Sequence, residues 1–312
     1  MNAIKKFHYF KSILIVAAAL MLLVGCASPA APATTTPAST TPAASTEPTT
    51  TPPASTPATL TPTTTPAVPK PDNPSLIMTS TTSTFDSGLM DVLIPIFQQK
   101  TGYVMKPVYV GTGAAINMGL KGNADVLLVH APSLEVQFMQ TGYGLNRTLV
   151  MHNDYVIVGP ASDPAGIKGM TSAIDAMKKI AAAKATFYSR GDNSGTDVTD
   201  KTLFGLAGVS VKDGSATNPS WYIEGGAGTG MLALLKIASE KNAYTLSDIA
   251  TFVFNQKMLG VSIMVRGDPL LLNIYHVIQV NQNMFPGIKI NTAGARAFSD
   301  FMVDPATQAI IA

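Results

Sequence analysis

Ser75-Leu76-Ile77-Met78-Thr79-Ser80-Thr81-Thr82-Ser83-Thr84-Phe85-Asp86-Ser87-Gly88-Leu89 is the stretch whose reading decides the fold. Leu76 to Met78 reads as a strand and runs into a loop of hydroxyl residues. From Ser87 to Lys100 the apolar positions Leu89, Val92, Leu93, Ile96 and Phe97 then fall at helical spacing. The same order of strand, Gly/Ser/Thr loop and helix recurs three times. Tyr103 to Val110 leads through Gly111-Thr112-Gly113 into a helix ending near Leu120, and Ala185 to Tyr188 leads through Ser189 to Thr196 into a helix from Asp197. Trp221 to Ile223 leads through Gly225 to Gly230 into a helix over Met231 to Glu240. Further strands are expected at Ala124 to Val129, Tyr155 to Val158, Val261 to Val265 and Tyr275 to Val280, and further helices at Ser172 to Ala183 and Ala293 to Met302. Strands alternating with helices make βα units, so the fold class is α/β with mainly parallel sheets.

Upstream of this region the chain is of another kind. Lys5, Lys6 and Lys11 precede an apolar run from Ser12 to Val24, the layout of a secretory signal. At about 13 residues the run is short of the roughly 20 that span a bilayer. Leu23-Val24-Gly25-Cys26 is similar to a bacterial lipobox, with Cys26 the lipidated residue that anchors the chain to a membrane. As the only cysteine, it excludes an intramolecular disulfide. Between Ala27 and Pro69 only Glu47, Leu60 and Val68 are not Ala, Ser, Thr or Pro, a composition that buries no core and reads as a stalk. The expected organisation is therefore 1–25 signal, 26–74 stalk, 75–160 with 273–312 a discontinuous first lobe, and 161–272 a second lobe with the ligand cleft between them. Removing Lys5, Lys6 and Lys11 from the 21 basic residues leaves 18 against 19 acidic ones, a net charge of about −1. Such a chain has no sequence-independent grip on nucleic acid.

The four loops, Thr81 to Thr84, Gly111 to Gly113, Ser189 to Thr196 and Gly225 to Thr229, carry the chemistry. Each stands at a helix N-terminus, where unpaired N–H groups and the helix dipole favour an anion. In an open α/β sheet such loops share the carboxyl edge of the strands. Glycine lets the backbone come close and hydroxyls add donors. Arg190 is the one full positive charge inside these loops, with a guanidinium able to fork onto two oxygens. Asp192 either orients it or accepts a proton from a protonated ligand.

Five segments resemble, in order along the chain, the tungstate-binding proteins of ABC importers. They are Ser80 to Leu89, Gly122 to Ala131, Asn153 to Pro160, Ser189-Arg190-Gly191-Asp192-Asn193-Ser194-Gly195-Thr196 and Ala243 to Asp248. The resemblance implies a two-lobed periplasmic-binding-protein fold of type II, a monomer that closes on tungstate or molybdate and delivers it to a membrane permease. It implies Thr81, Thr82, Ser83, Arg190, Ser194 and Thr196 as ligands, to which the glycine loops add Gly113, Gly195 and Gly228. Two departures stand out. Asp197 and Asp200 occupy positions where the family pattern has His and Glu, and Asp248-Ile249-Ala250-Thr251 stands where it has Asp-Arg-Gly-Thr. Both make the second lobe less cationic. Phosphate or sulfate is the alternative ligand; phosphate enters through Asp192, because monohydrogen phosphate needs an acceptor for its proton.

An enzyme lacks its usual marks. There is no G-x-S-x-G around Ser194, no Walker loop at Gly230-Met231 and no complete G-x-G-x-x-G at Gly111. His130, His152 and His276 have no metal-type spacing, so neither a metal nor a cofactor is expected. An adhesin reading rests on Arg190-Gly191-Asp192 and Arg266-Gly267-Asp268 alone. Met231, Met258 and Met264 are expected as core filler.

Overall fold

The computed structural model describes residues 70–212, 214–226 and 228–312. The signal segment, Cys26 and the stalk up to Pro69 lie outside the described residues. Asn73 and Pro74 are already tied to the folded part: the Pro74 carbonyl accepts from the Val104 N–H at 2.7 Å, and Asn291 Nδ2 donates to the Asn73 carbonyl at 2.9 Å.

The first run of elements is β1 (Ser75–Ser80), α1 (Thr82–Asp86), α2 (Leu89–Thr101), β2 (Val104–Tyr109), α3 (Thr112–Leu120), β3 (Val126–Val129) and α4 (Pro132–Gln140). The helix expected over Ser87 to Lys100 is α2, launched from Gly88 at φ 76, while part of the hydroxyl stretch read as a loop before it forms the short helix α1. A long strand β4 (Gly144–Pro160) follows. The second run is α5 (Ala173–Ala183), β5 (Phe187–Ser189), α6 (Gly195–Leu206), β6 (Tyr222–Glu224), α7 (Met231–Glu240), β7 (Tyr244–Asp248), α8 (Ile249–Asn255) and β8 (Val261–Val265). β9 (Leu272–Val280), α9 (Thr292–Val303) and α10 (Pro305–Ile311) complete the chain.

The strands form one continuous sheet in the order β2-β1-β3-β9-β4-β7-β5-β6, with β8 on β4. β4 pairs with β9 from Gly144 to Asp154, and with β7 and β8 from Tyr155 to Pro160, so a single strand runs through both halves. Pairing is parallel where helices make the crossovers, at β1–β2, β1–β3, β5–β6 and β5–β7. It is antiparallel wherever β4 or β9 takes part, so the sheet is more mixed than the βα pattern predicts.

Each half has its own apolar filling. In the first, Leu76, Met78, Leu93 and Phe97 of β1 and α2 meet Val277, Phe298 and Met302 of β9 and α9, with the Phe97 and Phe298 rings edge-on at 5.3 Å. In the second, Phe187, Phe204 and Tyr222 pack with Met177 and Ile180, while Val156, Val158, Met231 and Leu235 fill the other face. Met231 and Met264 are core residues as expected, but Met258 is 61% exposed, because it follows the end of α8 in a short surface turn.

Candidate functional site

Helices α1, α3, α6 and α7 begin just after strands β1, β2, β5 and β6, so their N-terminal loops share one edge of the sheet. Several of these loops touch across the two halves. The Thr82 hydroxyl of α1 accepts from Arg190 Nη1 and from the Met231 N–H that opens α7, each at 3.2 Å. Asp86 Oδ2 accepts from the Leu232 N–H at 3.1 Å, and Asn255 Nδ2 donates to the Asp86 carbonyl at 3.0 Å. The Gly113 N–H donates to the Asn193 carbonyl at 3.1 Å. A Cβ on Gly113 would meet Asn193 Nδ2 at 2.7 Å, so the loops after β2 and β5 approach within what glycine alone permits.

Arg190 is buried and held by Asp192, whose Oδ2 accepts from both Nε (3.1 Å) and Nη2 (2.5 Å). Asp192 Oδ1 accepts from the Ser194 N–H at 3.1 Å. Both carboxylate oxygens are thus engaged, and Asp192 acts as the orienter of Arg190. Asp197 builds the rest of this loop. Its Oδ1 accepts from the Gly191 N–H at 2.9 Å, and its Oδ2 from the Asn193 N–H at 2.9 Å and from Lys201 Nζ.

The Ser189 hydroxyl lies 3.0 Å from Asp197 Oδ1 and 2.8 Å from Asp200 Oδ2. It has one proton, so one of these contacts must be donated by a carboxyl group. Burial first, then the neighbouring Asp197 charge, pushes Asp200 well above the usual carboxylate range. Asp200 therefore carries the proton and donates to Ser189, which donates to Asp197. With Asp197 paired to Lys201 and Asp200 neutral, these two departures from the family pattern hold the loop and subtract little charge from it.

The hydroxyls of the first half divide into two sets. Ser80 and Thr84 spend their protons on the carbonyls of Leu128 (2.9 Å) and Thr81 (2.8 Å). Thr81 Oγ1, Ser83 Oγ and the Tyr275 hydroxyl instead form a chain with links of 3.0 and 3.1 Å, which use two of the three protons and leave one for a guest. Thr112 Oγ1 is buried without a hydrogen-bond partner, a donor that sequence reasoning passed over. Thr196 Oγ1 lies 3.8 Å from the Met231 sulfur, a weak acceptor. Ser194 caps α6, accepting from the Asp197 N–H at 3.3 Å.

Gly195 lies against His130: a Cβ there would stand 2.6 Å from the His130 carbonyl oxygen and ring Nδ1. Burial pushes His130 down to about 4, so at neutral pH the ring is uncharged. Its Nδ1 contacts the Tyr155 hydroxyl and Asn273 Oδ1, each at 2.9 Å, and its ring stacks on Tyr275 at 4.6 Å. Gly228, at φ 73, has open space where a Cβ would stand. Gly226 is the glycine of that loop that touches Arg190: its Cβ would stand 3.2 Å from the Arg190 backbone.

Arg190 of the first Arg-Gly-Asp is buried, whereas in the second Arg266 and Gly267 are exposed and Asp268 accepts from the Ala173 N–H at 2.6 Å. Among the described residues no three His, Cys, Asp or Glu side chains gather as metal ligands. No helix among them is long and apolar enough to cross a membrane.

Residues 31–306 match the family described as the PBP superfamily domain. The chain is 41% identical to the tungstate-binding protein TupA of Peptoclostridium acidaminophilum over 76% of its own length and 80% of that protein's. It is 43% identical to the tungstate-binding protein TupA of Campylobacter jejuni, over 64% and 72% of the two chains. The crystal structure of the tungstate ABC transporter from Geobacter sulfurreducens superposes with a TM-score of 0.67 at 40% identity, covering 76% of this chain and 97% of that one. With its hydroxyl and glycine loops meeting across a sheet of this topology, the chain belongs to the periplasmic-binding-protein superfamily, in the family of tungstate-binding solute-binding proteins of ABC transporters.

Proposed function

We propose that this protein captures tungstate, or the closely similar molybdate, between its two halves and passes it to an ABC permease. The ligand set is Thr81, Thr82, Ser83, Thr112, Gly113, Arg190, Ser194, Gly195 and Thr196. The halves act as lobes, 75–160 with 273–312 and 161–272, hinged where β4 and β9 cross. The observation that carries the reading is the meeting of Thr82, Arg190 and the α7 N-terminus from opposite halves. A dianion placed there gains hydroxyl and N–H donors and one guanidinium fork.

Asp192 Oδ2 receives two donors and Oδ1 one, which leaves a single acceptor site for the proton of monohydrogen phosphate, so phosphate stays the rival ligand that the titration must separate. Sulfate has the same charge as tungstate, and it is the similarity to tungstate-binding relatives that favours tungstate over it. In this reading the protein is a monomeric carrier without a catalytic role. Cys26 holds it by a lipid on the outer side of a membrane, with the Thr/Pro-rich segment as its tether.

Calorimetric titration with tungstate, molybdate, sulfate and phosphate tests the reading. Tungstate and molybdate should give heat, and Arg190→Ala should weaken binding at least tenfold, about 1.4 kcal/mol. Heat from phosphate alone would overturn the reading in favour of a phosphate carrier.

A further inference from the structure

A second cavity, of about 250 Å³, lies where α1, β4, α8, β9 and α10 come together, and none of the proposed oxyanion ligands lines it. Its most unusual wall is Asp248, which is 1% exposed. Asp248 Oδ1 caps α8 by accepting from the Thr251 N–H at 2.8 Å, whereas Oδ2 has no hydrogen-bond partner. A buried carboxylate oxygen without a donor costs free energy, and a ligand that supplies one recovers it. Burial pushes this carboxyl up to about 6, which still leaves it ionised at neutral pH.

Of the other polar walls, Thr84 donates to the Thr81 carbonyl and the Tyr275 hydroxyl is bonded to Ser83 and Asn273, His152 is exposed, and Asn153 and Ser87 offer acceptors. Asn153 Oδ1 takes one hydrogen bond, from Asn273 Nδ2 at 2.8 Å, and keeps a lone pair, while the Ser87 hydroxyl donates weakly to the Thr84 carbonyl at 3.4 Å. No Lys or Arg lines the cavity, and Leu89, Met151 and Ile311 make its apolar side. One carboxylate does not make a metal cage, and no metal-type cluster exists among the described residues. A compact head rich in N–H donors on a short apolar stem fits both kinds of wall.

We propose that this hinge cavity is a binding site for a small primary alkylammonium cation, its N–H groups on Asp248 Oδ2 and its stem against Leu89, Met151 and Ile311. The cavity adjoins the first oxyanion loop through Thr84 and through Tyr275, whose hydroxyl is bonded to Ser83 at 3.1 Å, so the site is tested without any oxyanion present.

The probe is n-propylammonium chloride added to the purified protein, with thermal unfolding compared against sodium chloride and tetramethylammonium chloride at equal ionic strength. Propylammonium should raise Tm by roughly 5 °C at saturation. Sodium and tetramethylammonium, which lack N–H donors, should not. Asp248→Asn keeps the capping oxygen and removes the charge, and it should abolish the shift. Ala250→Leu narrows the same cavity without touching Asp248 and should abolish it as well, which keeps the test decisive if Asp248→Asn folds poorly. A wild-type shift no larger than that from sodium chloride would mean the cavity holds water only and would overturn the proposal. An undiminished shift in Ala250→Leu or Asp248→Asn would overturn it too.

Discussion

Asp197→Ala is expected to lower the unfolding temperature by roughly 10 °C and to abolish measurable tungstate binding. Asp197 is fully buried and accepts from the Gly191 and Asn193 N–H groups, the Ser189 hydroxyl and Lys201. Alanine would leave two buried amides, those of Gly191 and Asn193, without partners and would take one acceptor away from Lys201. Breaking a buried ion pair from one side costs about 3–5 kcal/mol. In a domain of this size each kilocalorie moves the midpoint by about 2–4 °C. The loop also sets Arg190, since Gly191 and Asn193 flank the Asp192 that orients it. Differential scanning calorimetry and titration calorimetry on the same sample read both effects. A variant that melts like wild type would show that this carboxylate does not hold the loop.

Gly195→Ala should have the opposite profile: near-normal stability without ligand, and tungstate affinity reduced at least a hundredfold, about 2.7 kcal/mol. Gly195 opens α6 in the second half, and an added methyl would stand 2.6 Å from the His130 carbonyl in the first. The oxygen belongs to the backbone after β3 and cannot swing aside, so the halves must stay apart. Gly195 does not need a positive φ, and alanine is acceptable at a helix start. The cost therefore falls on the approach of the halves, and apparent affinity drops with the population of the competent form. Wild-type affinity in Gly195→Ala would mean that binding does not require this approach.

The contrast between these variants also marks what could be read from the chain alone. The strand, hydroxyl loop and helix order at Ser75 to Leu89 was legible because caps and glycines act locally, whereas Thr81, Thr82 and Ser83 as ligands came from the family resemblance. The strand through both halves was not legible. Leu145 to Asp154 of β4 mixes exposed polar and apolar positions, because much of its pairing is with β9, far away in sequence. β7 was missed because its Thr245 and Ser247 are buried with their hydroxyls spent on backbone carbonyls, a satisfaction that composition does not reveal. α4 and α10 begin at Pro132 and Pro305, prolines that punctuate the chain yet suit the first helical position.

At the site, the sequence reading found Arg190 but left Asp192 between two roles. Only geometry shows both its oxygens engaged. Gly228 and Gly226 are indistinguishable as letters, and the fold places Gly226 beside Arg190 and leaves Gly228 open. Thr112 was visible in its glycine loop but unremarkable until its hydroxyl proved buried and unpartnered.

Tungsten scatters strongly at its absorption edge, so anomalous difference density from crystals grown with tungstate locates the anion without assumptions. One peak within hydrogen-bonding reach of both the Thr81–Ser83 hydroxyls and the Arg190–Thr196 loop is the predicted result. A peak touching only one half, or lying away from Arg190, would contradict the account.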